Sequence, residues 1–399
     1  MTKRSPLPRT VVWLGLVSLA TDASSDMIYP LLPLFLTTVL GAGPQMLGAI
    51  EGAAEATAAL LKLISGRLAD RARRKKPLTV LGYGISSVVR PLAGFATAPW
   101  MILVVRLADR VGKGVRSSPR DALMADVTPP DVRGRAYGFH RAMDNAGAVL
   151  GPGIATVLLV WGHLSLRTIF FIAVIPGALA MLSLTAGVKE EPTNAHPAQD
   201  GSTPSAQGKG NANLNERLRI TPYLIALACF SLGNASDAFL LLRAEQLGVP
   251  GRYIPALWML HNAVKALLST AGGGLSDRLG RRRVIVGGWI LYAVSYLGFG
   301  LARAAWQAWA LMAFYGLYYS LVEGSERALV AELAPPGHRG RAFGAYYAVV
   351  GTAALPASFG FGLLAQRYGA QLPFTIAAGL AAVAALLLAL TVPEPRRAR

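Results

Sequence analysis

The chain has 399 residues, of which 53% belong to the hydrophobic set and only 15% are charged. A soluble domain usually carries about 25% charged residues, so the composition excludes a disordered chain, a collagen and a small disulfide scaffold, and it fits an ordinary soluble enzyme poorly. Lys and Arg number 39 against 21 Asp and Glu, a formal charge of +18; nucleic acid is the usual first reading of such a balance, but nucleic-acid binders are rarely this apolar. Both facts are met if apolar segments cross a bilayer and basic residues gather at its cytoplasmic face.

A helix crossing the bilayer core needs roughly 20 residues. Apolar segments of that size fall near 11–39, 44–66, 77–97, 98–116, 136–161 and 168–188. No small-residue cleavage site follows the first of them, so it reads as a retained helix and not as a signal peptide. Residues 189–219 are polar and rich in Pro, Gly, Ser and Asn, the composition of a flexible linker whose acids and His196 are solvated. A second set of segments follows near 221–245, 253–275, 284–301, 305–323, 342–364 and 372–392. The expected fold is therefore an all-α membrane protein of twelve transmembrane helices: an N-terminal six-helix half (1–188), a cytoplasmic linker (189–219) and a C-terminal six-helix half (220–399). Cys229, the only cysteine, lies in an apolar run and reads as a small hydrophobe.

Lys and Arg orient the chain. With the N-terminus inside, the cytoplasmic loops hold clusters such as Arg71, Arg73, Arg74, Lys75 and Lys76, and Arg278 with Arg281–Arg283, while the outer loops hold only Arg167, Arg252, Arg303 and Arg367. Both termini are expected in the cytoplasm.

The chain also repeats itself. Ala122-Leu-Met-Ala-Asp-Val-Thr-Pro-Pro-Asp-Val-Arg-Gly-Arg-Ala-Tyr-Gly138 matches Ala328-Leu-Val-Ala-Glu-Leu-Ala-Pro-Pro-Gly-His-Arg-Gly-Arg-Ala-Phe-Gly344 at an offset of 206. Leu68-Ala-Asp-Arg-Ala-Arg-Arg-Lys75 matches Leu275-Ser-Asp-Arg-Leu-Gly-Arg-Arg282 at 207. Two matches at nearly one offset, in equivalent loops, indicate a duplicated six-helix unit. With these loops the chain resembles the major facilitator superfamily over essentially its full length. The family's signature loop, Gly-x-Leu-Ala-Asp-Arg-x-Gly-Arg-Arg/Lys, stands here as Gly66 to Lys75, with Arg73 in place of the inner glycine; the second copy, Gly273 to Arg282, keeps that glycine. The resemblance implies two halves around a central cavity and alternating access. It also implies a cytoplasmic gate built on Gly66, Asp70, Arg71, Arg74, Asp277 and Arg278, with the two acids capping a facing helix or pairing with arginine to clamp the halves. Family antiporters carry Gly-x-x-x-Gly-Pro in the fifth helix; Gly147, Gly151 and Pro152 keep that core but lack the glycine pair that follows. A plain small-residue packing face explains the same residues. The family's fourth-helix arginine ahead of Gly-x-Gly is matched by neither Arg106 nor Arg110 at the usual spacing to Gly112-Lys113-Gly114, which is also no phosphate loop.

Ionisable groups inside a membrane are costly unless they face a partner or a cavity. Segments six, nine and twelve carry none and the third only Arg90, so these are expected to face lipid. The others hold the candidates for the cavity: Glu51, Arg106, Arg110, Asp144, Asp237, His261 and Lys265. Arg90, Asp109 and Arg141 are read as members of internal ion pairs. The N-terminal half has six intramembrane acids against four bases, so some carboxylate is unmatched, and one held in low dielectric titrates toward neutrality. Asp22, Asp26 and Glu55 are the candidate proton carriers. Trp258, Tyr292, Tyr315, Tyr318 and Tyr319 are available to line an organic pocket.

The expected function is a proton-coupled antiporter in the bacterial-type inner membrane that exports a small organic solute. Alternatives are a divalent metal exporter using Asp22, Asp26, Glu51, Glu55, His140 and His261, and an uptake symporter. No enzyme activity, resident metal, cofactor or nucleic-acid partner is expected; the proton gradient is the energy source, the lipid bilayer and the solute are the partners, and the chain is expected to act as a monomer. Single cysteines placed in 189–219 of a Cys229→Ala background are expected to react with an impermeant maleimide only after the cytoplasmic side is opened; reaction in intact cells would reverse the orientation.

Overall fold

The structure is a computed structural model that describes residues 7–71, 74–129, 132–188, 190, 211–334 and 339–392, with the side chains of 62–71, 133–134, 211–219, 270 and 339–341 excluded. Twelve helical passes follow in order: α1 Arg9–Val39, α2 Pro44–Arg71, α3 Lys76–Phe95, α4 Pro99–Asp126, α5 Arg133–Val160, α6 Leu166–Gly187, α7 Ile220–Gln246, α8 Ile254–Leu279, α9 Arg281–Leu301, α10 Ala305–Leu333, α11 Arg339–Tyr368 and α12 Gln371–Thr391. Eight of them are long and apolar enough to cross a membrane by composition alone. The four that fall short are α2, α4, α8 and α10, where charged residues and tyrosines interrupt the apolar run. Polar insertion into a membrane bundle is tolerated where it faces a partner or a cavity, so the shortfall itself marks the interior helices.

Each half packs within itself, α1 on α5, α2 on α4 and α3 on α4 in the first, and α8 on α10, α9 on α10 and α9 on α12 in the second. The halves meet along two seams, α2 against α11 and α5 against α8. Glycine makes the first seam close. A Cβ at Gly52 would lie 2.9 Å from Leu355 Cα, and one at Gly48 would run into the Ser358 carbonyl. Small residues are the usual means of bringing membrane helices together, because lipid offers no hydrophobic drive between them. This seam belongs to the far face, opposite the one that carries the chain ends.

α4 and α10 extend beyond the predicted spans 98–116 and 305–323 by about two and a half turns each. The added residues belong to the repeated sequence, so the duplicated motif is a helix end plus the turn into the next helix. Two helices are irregular. Pro30 and Pro33 tighten α1 over Tyr29–Leu31, and a π turn follows at Phe35–Val39. α7 is broken at 234–236, between Gly233 and the new start at Ala238. Backbone left open inside a membrane needs partners within the protein. Here Tyr292 donates to Gly233 O at 2.9 Å, Tyr296 to Ala235 O at 3.4 Å, and Ser358 Oγ accepts from Ser236 N at 3.1 Å.

The linker 189–219 lies outside the described residues, apart from Glu190 and the backbone of 211–219. Glu190 differs from the solvated acid expected there. Its carboxylate accepts from Lys75 N at 2.7 Å and Lys76 N at 2.9 Å, capping the start of α3 with negative charge.

On α5, a Cβ at Gly151 would meet the Ala23 carbonyl and lie 3.0 Å from Ala23 Cα, whereas Gly138 faces open space. Gly151→Ala is therefore expected to destabilise the purified protein by about 1–3 kcal/mol, read as a lower thermal midpoint, while Gly138→Ala leaves the midpoint unchanged or raised.

Candidate functional site

A cavity of about 610 Å³ separates the two halves. Its lining comes from α1, α2, α4 and α5 on one side and α7, α8, α10 and α11 on the other, with Tyr83 reaching in from α3. No residue of α6, α9 or α12 lines it among the described residues, which matches the lack of charge in their apolar segments 168–188, 284–301 and 372–392. The cavity runs from Tyr29, Asp26 and Asp237 in the interior to Arg120 and Asp121 near the end of α4, so it reaches toward the face that carries the chain ends.

The spacing of α4 builds one wall. Arg106, Arg110, Lys113, Arg116 and Arg120 recur every three or four residues and share a helix face. All five line the cavity. Arg106 donates to Glu51 at 2.6 Å with both side chains buried. Arg110 meets Glu55 at 2.8 Å. Arg116 donates to Ser86 Oγ at 2.5 Å and lies over the Tyr83 ring. Behind this row, Arg90 Nε binds Asp109 at 2.8 Å and its Nη1 donates to the Thr21 carbonyl at 2.9 Å. The internal ion pair expected of Arg90 and Asp109 is thus present. Arg141 is ion-paired as expected: it meets Asp144 on its own helix at 3.9 Å, and it makes a shorter contact with Glu323 of the other half. Lys265 at 3.0 Å and Arg327 at 3.1 Å share that carboxylate.

The three candidate proton carriers fall into three situations. Glu55 is ion-paired to Arg110. Asp26 accepts from Trp258 Nε1 at 2.9 Å, a hydrogen bond that joins α1 to α8 across the cavity. Asp22 lines the cavity with no hydrogen bond and no ion pair among the described residues. Asp144, by contrast, accepts from Ser18 and sits 3.5 Å from His140 Nδ1.

Two cavity candidates are placed outside it. Glu51 is fully enclosed by its pair with Arg106. His261 is 1% exposed and stacked between Trp258 and Tyr315, a packed core histidine. Trp258 itself lines the main cavity, and Tyr319 lines a smaller side chamber with Asp237. Tyr292, Tyr315 and Tyr318 stand behind that wall. Asp237 accepts from Tyr315 at 2.5 Å and Tyr319 at 3.1 Å. A feature not anticipated is Glu326, buried in the second half, where Trp289 Nε1 donates at 3.0 Å and Tyr346 at 2.9 Å. Its position just past a predicted span end hid it; only the longer α10 brings it inside.

The gate residues are partly visible. The side chains of Gly66, Asp70 and Arg71 lie outside the described residues, and Arg74 and Arg278 are exposed. Asp277 departs from the expected clamp between halves: it is exposed and pairs with Arg281 at 2.6 Å within its own half. Gly147 and Gly151 press α5 onto the backbone of α1 at Leu19 and Ala23, and Gly147 faces the Asp22 Cβ at 3.0 Å. Among the described residues, no three of His, Cys, Asp and Glu converge as metal ligands.

Removing one member of a buried ion pair leaves the other uncompensated, at about 3–5 kcal/mol. Glu51→Leu and Arg106→Met are each expected to lower the thermal midpoint sharply, and the double variant to recover most of the loss. An additive double variant would show that the two groups do not depend on each other.

The family model of the Major Facilitator Superfamily matches residues 14–261 and 238–399. An uncharacterized MFS-type transporter of Methanocaldococcus jannaschii is 33% identical over 388 residues, covering 96% of this chain and 94% of that protein. The multidrug resistance protein MdtH of Cronobacter sakazakii is 25% identical over 80% of this chain and 77% of its own length. Among solved structures, a mutant of the nucleoside transporter NupG superposes with a TM-score of 0.79 at 14% identity, covering 96% of this chain and 100% of that one, which is a likeness of fold. The twelve-helix bundle with its two matched halves is a membrane transporter, and the chain belongs to the Major Facilitator Superfamily.

Proposed function

We propose that this transporter is a proton-coupled antiporter of the cytoplasmic membrane that exports a small organic solute. One observation carries the reading: Asp22 stands in the cavity wall without a partner. Every other acid of the N-terminal half that reaches this wall from α1, α2 or α5 is engaged, Asp26 by Trp258, Glu55 by Arg110 and Asp144 by Ser18 and His140. Asp144, Lys113, Arg116 and Arg90 are among the charges that act on Asp22, and none closes an ion pair with it among the described residues. A carboxylate that is open to cavity water, at the middle of a bundle, and free of a fixed counter-charge can take and release a proton without breaking structure.

Antiport needs one further property: solute and proton must compete for the same open state. Asp22 and the solute cavity are one space, and Asp26 on the next turn of α1 bonds across to α8. A change of charge on α1 therefore bears directly on a contact between the halves. The glycine face of α5 against α1 supports export in the same way, since it holds Asp22 toward the cavity. The orientation fits too. With both termini cytoplasmic, the cavity reaches the cytoplasm and solute enters from inside. The similarity to a multidrug resistance protein agrees with an organic solute. A divalent metal exporter would need a converging donor set, and none is found among the described residues.

Reconstituted in liposomes with an imposed pH gradient, the protein is expected to drive solute against its concentration. Asp22→Asn is expected to cut that gradient-driven flux by about tenfold or more while leaving solute exchange without a gradient. Gradient-driven flux that is unchanged in Asp22→Asn would overturn the assignment.

A further inference from the structure

The break in α7 opens a side chamber of about 280 Å³ off the main cavity, between α1, α2, α7, α10 and α11. Its lining is unlike the main cavity. The vestibule mixes acids with the basic row of α4, but the chamber is lined by two carboxylates, Asp237 and Glu55, and by no base. Glu55 is committed to Arg110. Asp237 has only neutral donors, Tyr315 and Tyr319, and no ion pair among the described residues.

The remaining polar groups are unspent. Ser231 is 6% exposed, lines the chamber, and its hydroxyl has no hydrogen bond among the described residues. The Asn234 side chain, on the broken segment, is likewise without a partner there. A carboxylate without a counter-charge thus stands beside a hydroxyl and an amide that bond to no described residue, three polar groups open to the same space. The ligand's sign follows from the acids. An anion would meet Asp237 unscreened. A cation would find a full counter-charge at Asp237 and the Ser231 and Asn234 oxygens as acceptors. Arg106 and Lys265 stand over the rings of Tyr29 and Tyr319, at 5.3 and 4.7 Å, with their head groups paired to Glu51 and Glu323 and not to Asp237.

We infer that this chamber is the binding subsite for the positively charged nitrogen of the transported solute, which is therefore an organic cation, with Asp237 as its counter-ion. The ammonium head sits in the chamber, and the organic body extends into the main cavity against Trp258. The inference rests on the export of an organic solute proposed above and supplies its charge.

The full chain in lipid nanodiscs is to be titrated by calorimetry with benzyltrimethylammonium and, as an anion of similar size, phenylacetate. Saturable binding of the cation and none of the anion are expected. Asp237→Asn is expected to weaken cation binding by about tenfold or more, equivalent to about 1.4 kcal/mol. Asn234→Leu, which fills the chamber and leaves the bonds of Asp237 to the tyrosines, is expected to weaken it as well. Both variants are to be compared at equal thermal midpoint and monodispersity. Absence of cation binding, preference for phenylacetate, or cation binding that neither variant weakens would overturn the subsite. The titration involves no pH gradient, so it is independent of coupling. Asp237-dependent binding together with a flux indifferent to the gradient would keep the subsite and overturn the proton antiport.

Discussion

Arg106 and Glu51 meet at 2.6 Å with both side chains buried, and Arg90 and Asp109 meet at 2.8 Å one turn further along α4. Two charges in that setting have no alternative to each other. The pairs fix α4 against α2 and α3, and Arg90 extends the tie to the α1 backbone through the Thr21 carbonyl. The N-terminal half is thus a bundle whose helix positions are set by charge neutralisation and not by apolar packing alone, which in lipid has little drive of its own. Once α4 is anchored, the rest of its basic row falls on the cavity wall by helical geometry.

The second half meets the same demand with different chemistry. Its buried carboxylates are held by phenol and indole donors: Asp237 by Tyr315 and Tyr319, Glu326 by Trp289 and Tyr346. Neutral donors satisfy the oxygens without cancelling the charge. The two halves thus differ at these acids: Glu51, Glu55 and Asp109 are fixed by guanidinium groups in the first, Asp237 and Glu326 by neutral donors in the second, while Glu323 is shared by Arg141, Lys265 and Arg327. The aromatic stack of Phe230, Trp289, Tyr292, Tyr296, Tyr315 and Tyr318 follows from this, because the rings that carry those hydroxyls have to pack somewhere. It also explains why the break in α7 occurs in this half, where tyrosine hydroxyls are available to satisfy the freed carbonyls.

Much of this was legible in the sequence. Helix count, the two halves and the helices that avoid the cavity all follow from where charge is absent, a property of composition that does not depend on contacts. Partner choice was less legible. Glu51 and Asp22 look alike in sequence, each an acid inside an apolar segment, and only the crossing of α2 with α4 makes one a locked structural group and the other an open one. Arg141 pairs with Asp144, as three residues apart on one helix face suggests, but the cross-half carboxylate of Glu323 is closer. The break in α7 had a signal, the Gly233-Asn234 pair in an apolar run, which an unbroken count of apolar residues passes over. Glu326 had none, since its burial depends on how far α10 extends.

The glycine motif of α5 shows how a packing device becomes a functional one. Gly147 and Gly151 are required for α5 to lie on the α1 backbone, as a plain small-residue face would be. The turn they grip, Leu19 to Ala23, is the one that carries Asp22. Side chains at those positions would push α1 away from α5. The contact that packs α5 on α1 is therefore also the one beside Asp22, so the packing reading of the motif and the coupling proposed for Asp22 concern a single contact.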